Sequence, residues 1–392
     1  MRLLFCSTGG AGHLQPLRPL ALALQRQGHA VGWVSAPDAL QMLAGQGIAL
    51  FPAGLDFETS RRQFRAQHPE LLELEAEQRS AQTFPRLFGG SLAPAMLAGV
   101  NAAIAQWRPE LMVLEPAALA GPLACALHGL RYLTHGYGLP LPPAYLEAAT
   151  QCFAPSWAAH GLAAPAAGGL YRHGYIDIAP PSLQPPGHAG PPAPRRLALN
   201  PYAPRAAAGP PLPEALQRAL QAGRRPRVYL SFGTVFNRQP ALAAAAHALL
   251  GLGAELVVTV GADGDPQRFA PHLPRLHVHR FIDQAALLPC CDAVVSHGGA
   301  GTLLGAAAHG LPQLVLPQGA DHFRNARALA AAGAGLVVAP AAQTADGLRA
   351  AARQLFAGGP YAAAAWRLAA EMAAMPSADT LASALADGTA LA

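Results

Sequence analysis

The sequence predicts an α/β protein built from two doubly wound, parallel-sheet halves. The tetrapeptide Gly-Gly-Ala-Gly occurs twice, as Gly9–Gly12 followed by His13 and as Gly298–Gly301 preceded by His297. Each copy lies between a short apolar run and a helical pattern, where glycines allow a sharp turn and close backbone approach to a ligand. Apolar strand-like runs alternate with helical patterns through both halves, as consecutive βα units do.

In the first half the expected strands are Leu3–Cys6, Ala30–Ser35, Ala49–Phe51, Leu111–Leu114 and Tyr132–Thr134. Helices are expected at Leu14–Gln27, Asp38–Ala44, Met96–Gln106 and Ala118–Leu127. The more charged stretch from Asp56 to Pro94 suggests an inserted, mobile cover. Pro180 to Pro213 is rich in proline, glycine and alanine, so the domain junction is placed there. Beyond it the alternation restarts, with strands at Val228–Ser231, Glu255–Val260, Leu276–His279, Ala293–Ser296, Gln313–Leu316 and Leu336–Val338. Helices are expected at Pro240–Leu250, Thr302–His309, Phe323–Ala332 and Thr344–Phe356, with a helical tail from Tyr361 to about Ala386. The expected domains are 1–205 and 206–372, two Rossmann-like folds facing across a cleft. Residues 373–392 form a helix expected to pack back on the first domain.

Composition narrows the chemistry. All 27 basic residues are arginine, which removes the P-loop, Schiff-base and pyridoxal-phosphate lysines. The net charge of +5 is spread thinly, and its one arginine-rich stretch (Arg195, Arg196, Arg205, Arg224, Arg225, Arg227) suits a solvated linker better than a nucleic-acid face. Five cysteines, Cys6, Cys125, Cys152, Cys290 and Cys291, lack metal-ligand spacing and point to a reduced, cytoplasmic protein. The first apolar run is too short for a signal peptide, and the longest, Ala241–Ala262, is interrupted by glycines, His247 and Glu255. No integral membrane protein, no nucleic-acid partner and no cofactor are expected; the oligomeric state is not encoded in any readable pattern.

His13 follows its loop and would open the helix Leu14–Gln27, whose positive end favours a neutral imidazole. A neutral ring suits a general base for a hydroxyl; a capping or packing histidine is the other reading. Glu115, at the end of the strand Leu111–Leu114, is the candidate acidic partner, since parallel strands gather their C-terminal ends. Gly10 and Gly12 shape this loop. In the second loop the N–H groups of Gly299, Ala300, Gly301 and Thr302, the Thr302 hydroxyl and His297 form a diphosphate cradle, and Ser231–Thr234 offers more donors. Asp263 and Asp265 have metal-like spacing but sit in a turn-forming context, so no metal site is expected. His277 and His279, alternating on one strand, are read as surface residues.

The chain resembles the GT-B glycosyltransferases of family 1, especially bacterial enzymes that glycosylate natural products. The resemblance rests on His297-Gly298-Gly299-Ala300-Gly301-Thr302, Gly310-Leu311-Pro312, Pro317, Asp321-His322 and Asn325-Ala326, together with Gly10-Ala11-Gly12-His13. It implies an inverting, metal-independent transfer from a dTDP- or UDP-sugar to a hydroxyl of a small, largely apolar acceptor. His13 would be the base and Glu115 its partner; His297, Gly299, Gly301 and Thr302 would hold the diphosphate, assisted by Thr234. Phe281 would stack on the base beside backbone contacts from Ile282, and Asp321 with His322 would meet the donor sugar. Departures are His322 for a common glutamine, Asp283 for a proline beside Gln284, and Gly305 for a ribose-binding glutamate, the last favouring dTDP. Phe57, Phe64, Phe84, Phe88, Tyr137 and Leu139 are the candidate acceptor-pocket residues. A non-catalytic GT-B-like nucleotide-binding auxiliary protein and a lipid-linked sugar transferase of cell-wall synthesis are the alternatives.

Overall fold

A computed structural model describes residues 1–184, 191–203, 211–222, 225–233, 236, 240–261, 264–269 and 275–390. The chain divides into two compact units, one comprising residues 1–179, 186–201 and 375–392, the other residues 180–185 and 202–374. The expected boundary at 205/206 falls outside the described residues.

The first unit holds seven parallel strands: β1 (Arg2–Cys6), β2 (Ala30–Ser35), β3 (Ala49–Pro52), β4 (Leu111–Leu114), β5 (Tyr132–His135), β6 (Tyr175–Asp177) and β7 (Arg196–Ala198), in the order β3-β2-β1-β4-β5-β6-β7. Two of these, β6 and β7, are three residues long and carry too little pattern to announce themselves. The strand β7 lies within the stretch read as a linker, and its Arg196 pairs with the buried Asp177 at 2.6 Å. The segment 56–94 is also not a loose cover. It forms successive helical turns that place Phe64, Leu71, Phe84, Leu87, Phe88 and Leu92 in the core of the unit. Ala76–Trp107 is one continuous helical run, long and apolar enough to cross a membrane, but 56% of its most apolar window is buried inside the fold. The helical tail is two helices, Pro360–Ala374 and Ala378–Ala386, separated at Pro376 and restarted by Ser377, whose side chain accepts from the Thr380 N–H. The second of them belongs to the first unit, where Asp379 meets Arg26 at 2.6 Å.

The second unit holds β8 (Arg227–Ser231), β9 (Glu255–Thr259), β10 (Leu276–His279), β11 (Ala293–Ser296), β12 (Gln313–Val315) and β13 (Gly335–Val337), parallel and ordered β10-β9-β8-β11-β12-β13. Alternate residues feed opposite layers. Val228, Leu230, Leu256, Val258 and Val295 enter one apolar cluster, while Tyr229, Val257 and Val294 enter the other. Both faces are therefore covered, as a parallel sheet requires. In each unit the strand order reverses once, between β1 and β4 and between β8 and β11, and ligands of open α/β sheets bind at such points.

Candidate active site

In the first unit the two strands at the reversal run in register, Cys6 beside Leu114, so the loops after them emerge side by side. The loop after β1 turns at Gly10, whose φ of 99° suits only glycine, and where a Cβ would stand 3.3 Å from the Phe57 ring. His13 then lies in a four-residue helix, Ala11–Leu14. The long helix expected here is interrupted because Pro16 and Pro19 have no N–H to give, and regular hydrogen bonding resumes only at Arg18–Arg26. A single turn has little dipole. The carboxylate beside His13 is the stronger neighbour.

Glu115 is wholly buried. Its Oε1 accepts the Thr8 N–H at 3.0 Å and the Thr8 hydroxyl at 2.9 Å, and its Oε2 accepts the Ala117 N–H at 2.5 Å. Three donors thus fix the carboxylate before the histidine is considered. His13 Nδ1 lies 3.2 Å from Oε1, within ion-pair reach though not aligned as a hydrogen bond. Behind this pair, burial first and the Glu115 charge second push the Cys6 thiol far above its ordinary range, so it is an inert packing group.

The His13 ring is 14% exposed and faces Tyr137, Phe88 and Phe57, with centroids at 4.6, 5.3 and 6.2 Å. Phe88 is carried by a wide π-helical turn, Pro85–Leu92. Phe64, Phe84 and Leu139, also expected at the pocket, are buried, as is Phe88, whose ring nonetheless meets His13.

In the second unit Ser231 and Ser296 are register partners at the ends of β8 and β11. Each side chain accepts the N–H two residues on, Gly233 at 3.2 Å and Gly298 at 3.1 Å, so one turn is built twice. Gly299 then caps the helix Ala300–Ala308 without a side chain, leaving the first-turn N–H groups of Ala300, Gly301 and Thr302 as a seat for an anion. His297 is buried among Phe232, Phe236 and His322, the last at 4.3 Å. Burial, then the neighbouring His322, hold its pKa well below the ordinary value, so the ring is neutral.

Asp321 and His322, expected as a pair on the donor sugar, are placed differently. Asp321 is partly exposed, whereas His322 is buried and its Nδ1 accepts the N–H groups of Gln318 at 3.3 Å and Gly319 at 3.2 Å. His322 therefore braces the loop before Asp321. A residue without an assigned role in the sequence reading, Asn325, ties this loop to the anion seat. Its Nδ2 donates to the Gly298 carbonyl at 2.8 Å and to Asp321 Oδ2 at 2.7 Å. Its place in the long motif was the only signal available. Phe281 is 83% exposed, Ile282 is buried beside it, and Thr234 lies outside the described residues.

Burial pulls the pKa of His322 down to about 3. The unfolded chain takes up this proton below pH ~6.5 while the folded chain does not, so folding stability should fall as the pH drops from ~6.5 towards ~3, by at most roughly 1.4 kcal/mol per pH unit for this group. Denaturant titrations across that range should show a shallower pH slope for His322→Gln than for the parent.

The remaining candidates carry less. His277 is not a free surface residue, for its Nε2 meets Glu255 at 2.6 Å. All five cysteines are unpaired, and Asp263 lies outside the described residues.

A histidine backed by a buried carboxylate and a helix start shaped for an anion, each at the reversal of its own doubly wound sheet, together define a GT-B glycosyltransferase. The chain belongs to the erythromycin biosynthesis protein CIII-like family: the model of the family's N-terminal domain matches residues 22–192 and that of its C-terminal domain residues 244–387. It is 34% identical to L-demethylnoviosyl transferase of Streptomyces niveus, covering 98% of each chain. It is 35% identical to elloramycin glycosyltransferase ElmGT of Streptomyces olivaceus, covering 86% of each. Among solved structures it is similar to the Streptomyces sp. SF2575 glycosyltransferase SsfS6 complexed with thymidine diphosphate, with a TM-score of 0.76, 28% identity and 99% of each chain covered. The protein is a natural-product glycosyltransferase.

Proposed function

We propose that the enzyme moves a sugar from a dTDP-sugar to a hydroxyl of a small, largely apolar aglycone, with inversion, without a metal and in the cytoplasm. The observation that carries the reading is His13 set against the buried, triply hydrogen-bonded Glu115. Nδ1 faces the carboxylate, which leaves Nε2 to take the acceptor proton. The acceptor oxygen then bonds to the anomeric carbon as the bond from that carbon to the diphosphate oxygen breaks, and the electron pair leaves with dTDP. The N–H groups at the start of the helix Ala300–Ala308, with Thr302 and neutral His297, would take up the charge on the leaving diphosphate in place of a cation. Phe57, Phe88 and Tyr137 around His13 suit an apolar aglycone. The choice of dTDP is supported by the thymidine diphosphate in the SsfS6 complex and by Gly305, which offers a ribose no side chain.

The test is thermal stabilisation by dTDP, UDP and ADP, with and without EDTA, since a ligand of the native state raises Tm by mass action. Stabilisation by dTDP that survives EDTA is expected; no shift with any nucleotide would remove the donor site. Phe281→Ala should weaken dTDP roughly tenfold or more in titration calorimetry, because stacking a base on an aromatic ring is worth ~1–3 kcal/mol. Unchanged affinity would place the base elsewhere.

A further inference from the structure

One face of the second sheet carries a connected line of buried hydroxyls among its apolar side chains. Beside Val257, Val294, Leu287 and Leu288, which form an ordinary core, stand Tyr229, Thr259 and Ser231, all buried. Burying a hydroxyl costs stability unless it is hydrogen-bonded, and valine or phenylalanine would fill the same space at no such cost. The line is fully connected. Gln284 Nε2 donates to the Tyr229 hydroxyl at 3.2 Å and to Thr302 Oγ1 at 3.3 Å. The Tyr229 hydroxyl meets Thr259 Oγ1 at 2.9 Å, the Thr259 hydroxyl donates to Ser231 Oγ at 2.8 Å, and that oxygen also accepts the Gly233 N–H. The two ends of the line are therefore the two glycine turns at the reversal of the sheet.

The donors also have a direction. Gln284 Nε2 has two hydrogens and spends one on each partner. Thr302 Oγ1 accepts this bond and, among the described residues, gives its own proton to no partner, which leaves that proton for an anion at the helix start. The phenol of Tyr229 accepts from Gln284 and gives its proton to Thr259. Asp283 holds Gln284 in place: its side chain accepts the Ala285 N–H at 3.0 Å and caps the short helix Gln284–Leu287. The departure from proline at this position thus has a local use.

We propose that Gln284 and Tyr229 are positioning residues of the diphosphate site, acting through a hydrogen-bond relay that orients the Thr302 hydroxyl as a donor. The proposal rests on the donor site described above. Neither residue needs to touch the nucleotide, and their effect is confined to its diphosphate.

Calorimetric titration of dTDP and of thymidine tests it, with Gln284→Met, Tyr229→Phe, Thr302→Val and the double variant Gln284→Met/Thr302→Val. Loss of one oriented hydrogen bond should weaken dTDP about five- to tenfold in Gln284→Met, and less in Tyr229→Phe, with thymidine unaffected in both. The double variant should bind dTDP no more weakly than Thr302→Val, because the relay acts through that hydroxyl. A purely structural role would lower Tm but leave the ratio of dTDP to thymidine affinity unchanged, and that result overturns the proposal. Additive losses in the double variant, or parental dTDP affinity in both Gln284→Met and Tyr229→Phe, overturn it equally. Should Gln284→Met fail to fold, Tyr229→Phe, which keeps the ring, carries the same comparison. Failure of the parent to bind dTDP is a different result, removing the donor reading and the relay with it.

Discussion

His13→Ala is expected to lower kcat by about 10²–10⁴-fold, the range typical of losing a positioned general base, while dTDP affinity stays near the parental value. The ring belongs to the first unit and the proposed diphosphate seat to the second, so the variant tests chemistry apart from donor binding. Glu115→Gln should behave differently. Both carboxylate oxygens accept from N–H or O–H donors, and an amide would turn an NH₂ group towards one of them. That mismatch at a buried site costs roughly 1–3 kcal/mol, so this variant should lose stability as well as turnover. Single-turnover assays paired with melting curves distinguish the two patterns. Transfer by His13→Ala within tenfold of the parent would remove the base from the mechanism.

Much of this arrangement was legible because it depends on pattern. Eleven strands show as apolar runs spaced by helical periods, and the placement of His13 and Glu115 follows from parallel strands ending on one side. What escaped depends on contacts between residues distant in sequence. The strand β7 forms within a proline-rich stretch because Arg196 finds Asp177, and no local pattern marks that pairing. The helix after His13 breaks because of Pro16 and Pro19, a signal that was present but outweighed by the apolar periodicity around it. His322 stands beside Asp321 in the motif, yet its ring turns inward to serve two backbone N–H groups, and sequence adjacency says nothing about which side a ring takes. Asn325 bonds to Gly298, and Gln284 to Tyr229 and Thr302, across 18 to 55 positions, so these links appear only when the chain is folded.

The diphosphate turn offers a sharper steric test, because its glycines are not equivalent. Gly299 has φ −61° and ψ 138°, a conformation open to any residue, so backbone strain does not demand glycine there. Space does: a Cβ at Gly299 would lie 2.7 Å from His297 Nε2 and 2.8 Å from its Cε1. That ring cannot retreat easily, being buried against Phe232, Phe236 and His322. Overpacking of this kind typically costs ~1–3 kcal/mol. The added methyl would push His297 out of the position from which, on the proposed mechanism, it meets the diphosphate, so Gly299→Ala should weaken dTDP binding by roughly 10- to 100-fold. Gly301 lies two residues on, and a Cβ there would meet only the Tyr202 hydroxyl at 3.8 Å among the described residues, an ordinary contact. Gly301→Ala should therefore melt at or above the parental temperature, since alanine is the better helix former by ~1 kcal/mol. Melting curves and dTDP titrations of both variants decide the matter. Equal losses at the two positions would mean that the turn needs glycine for its flexibility and that His297 is not the group holding the anion.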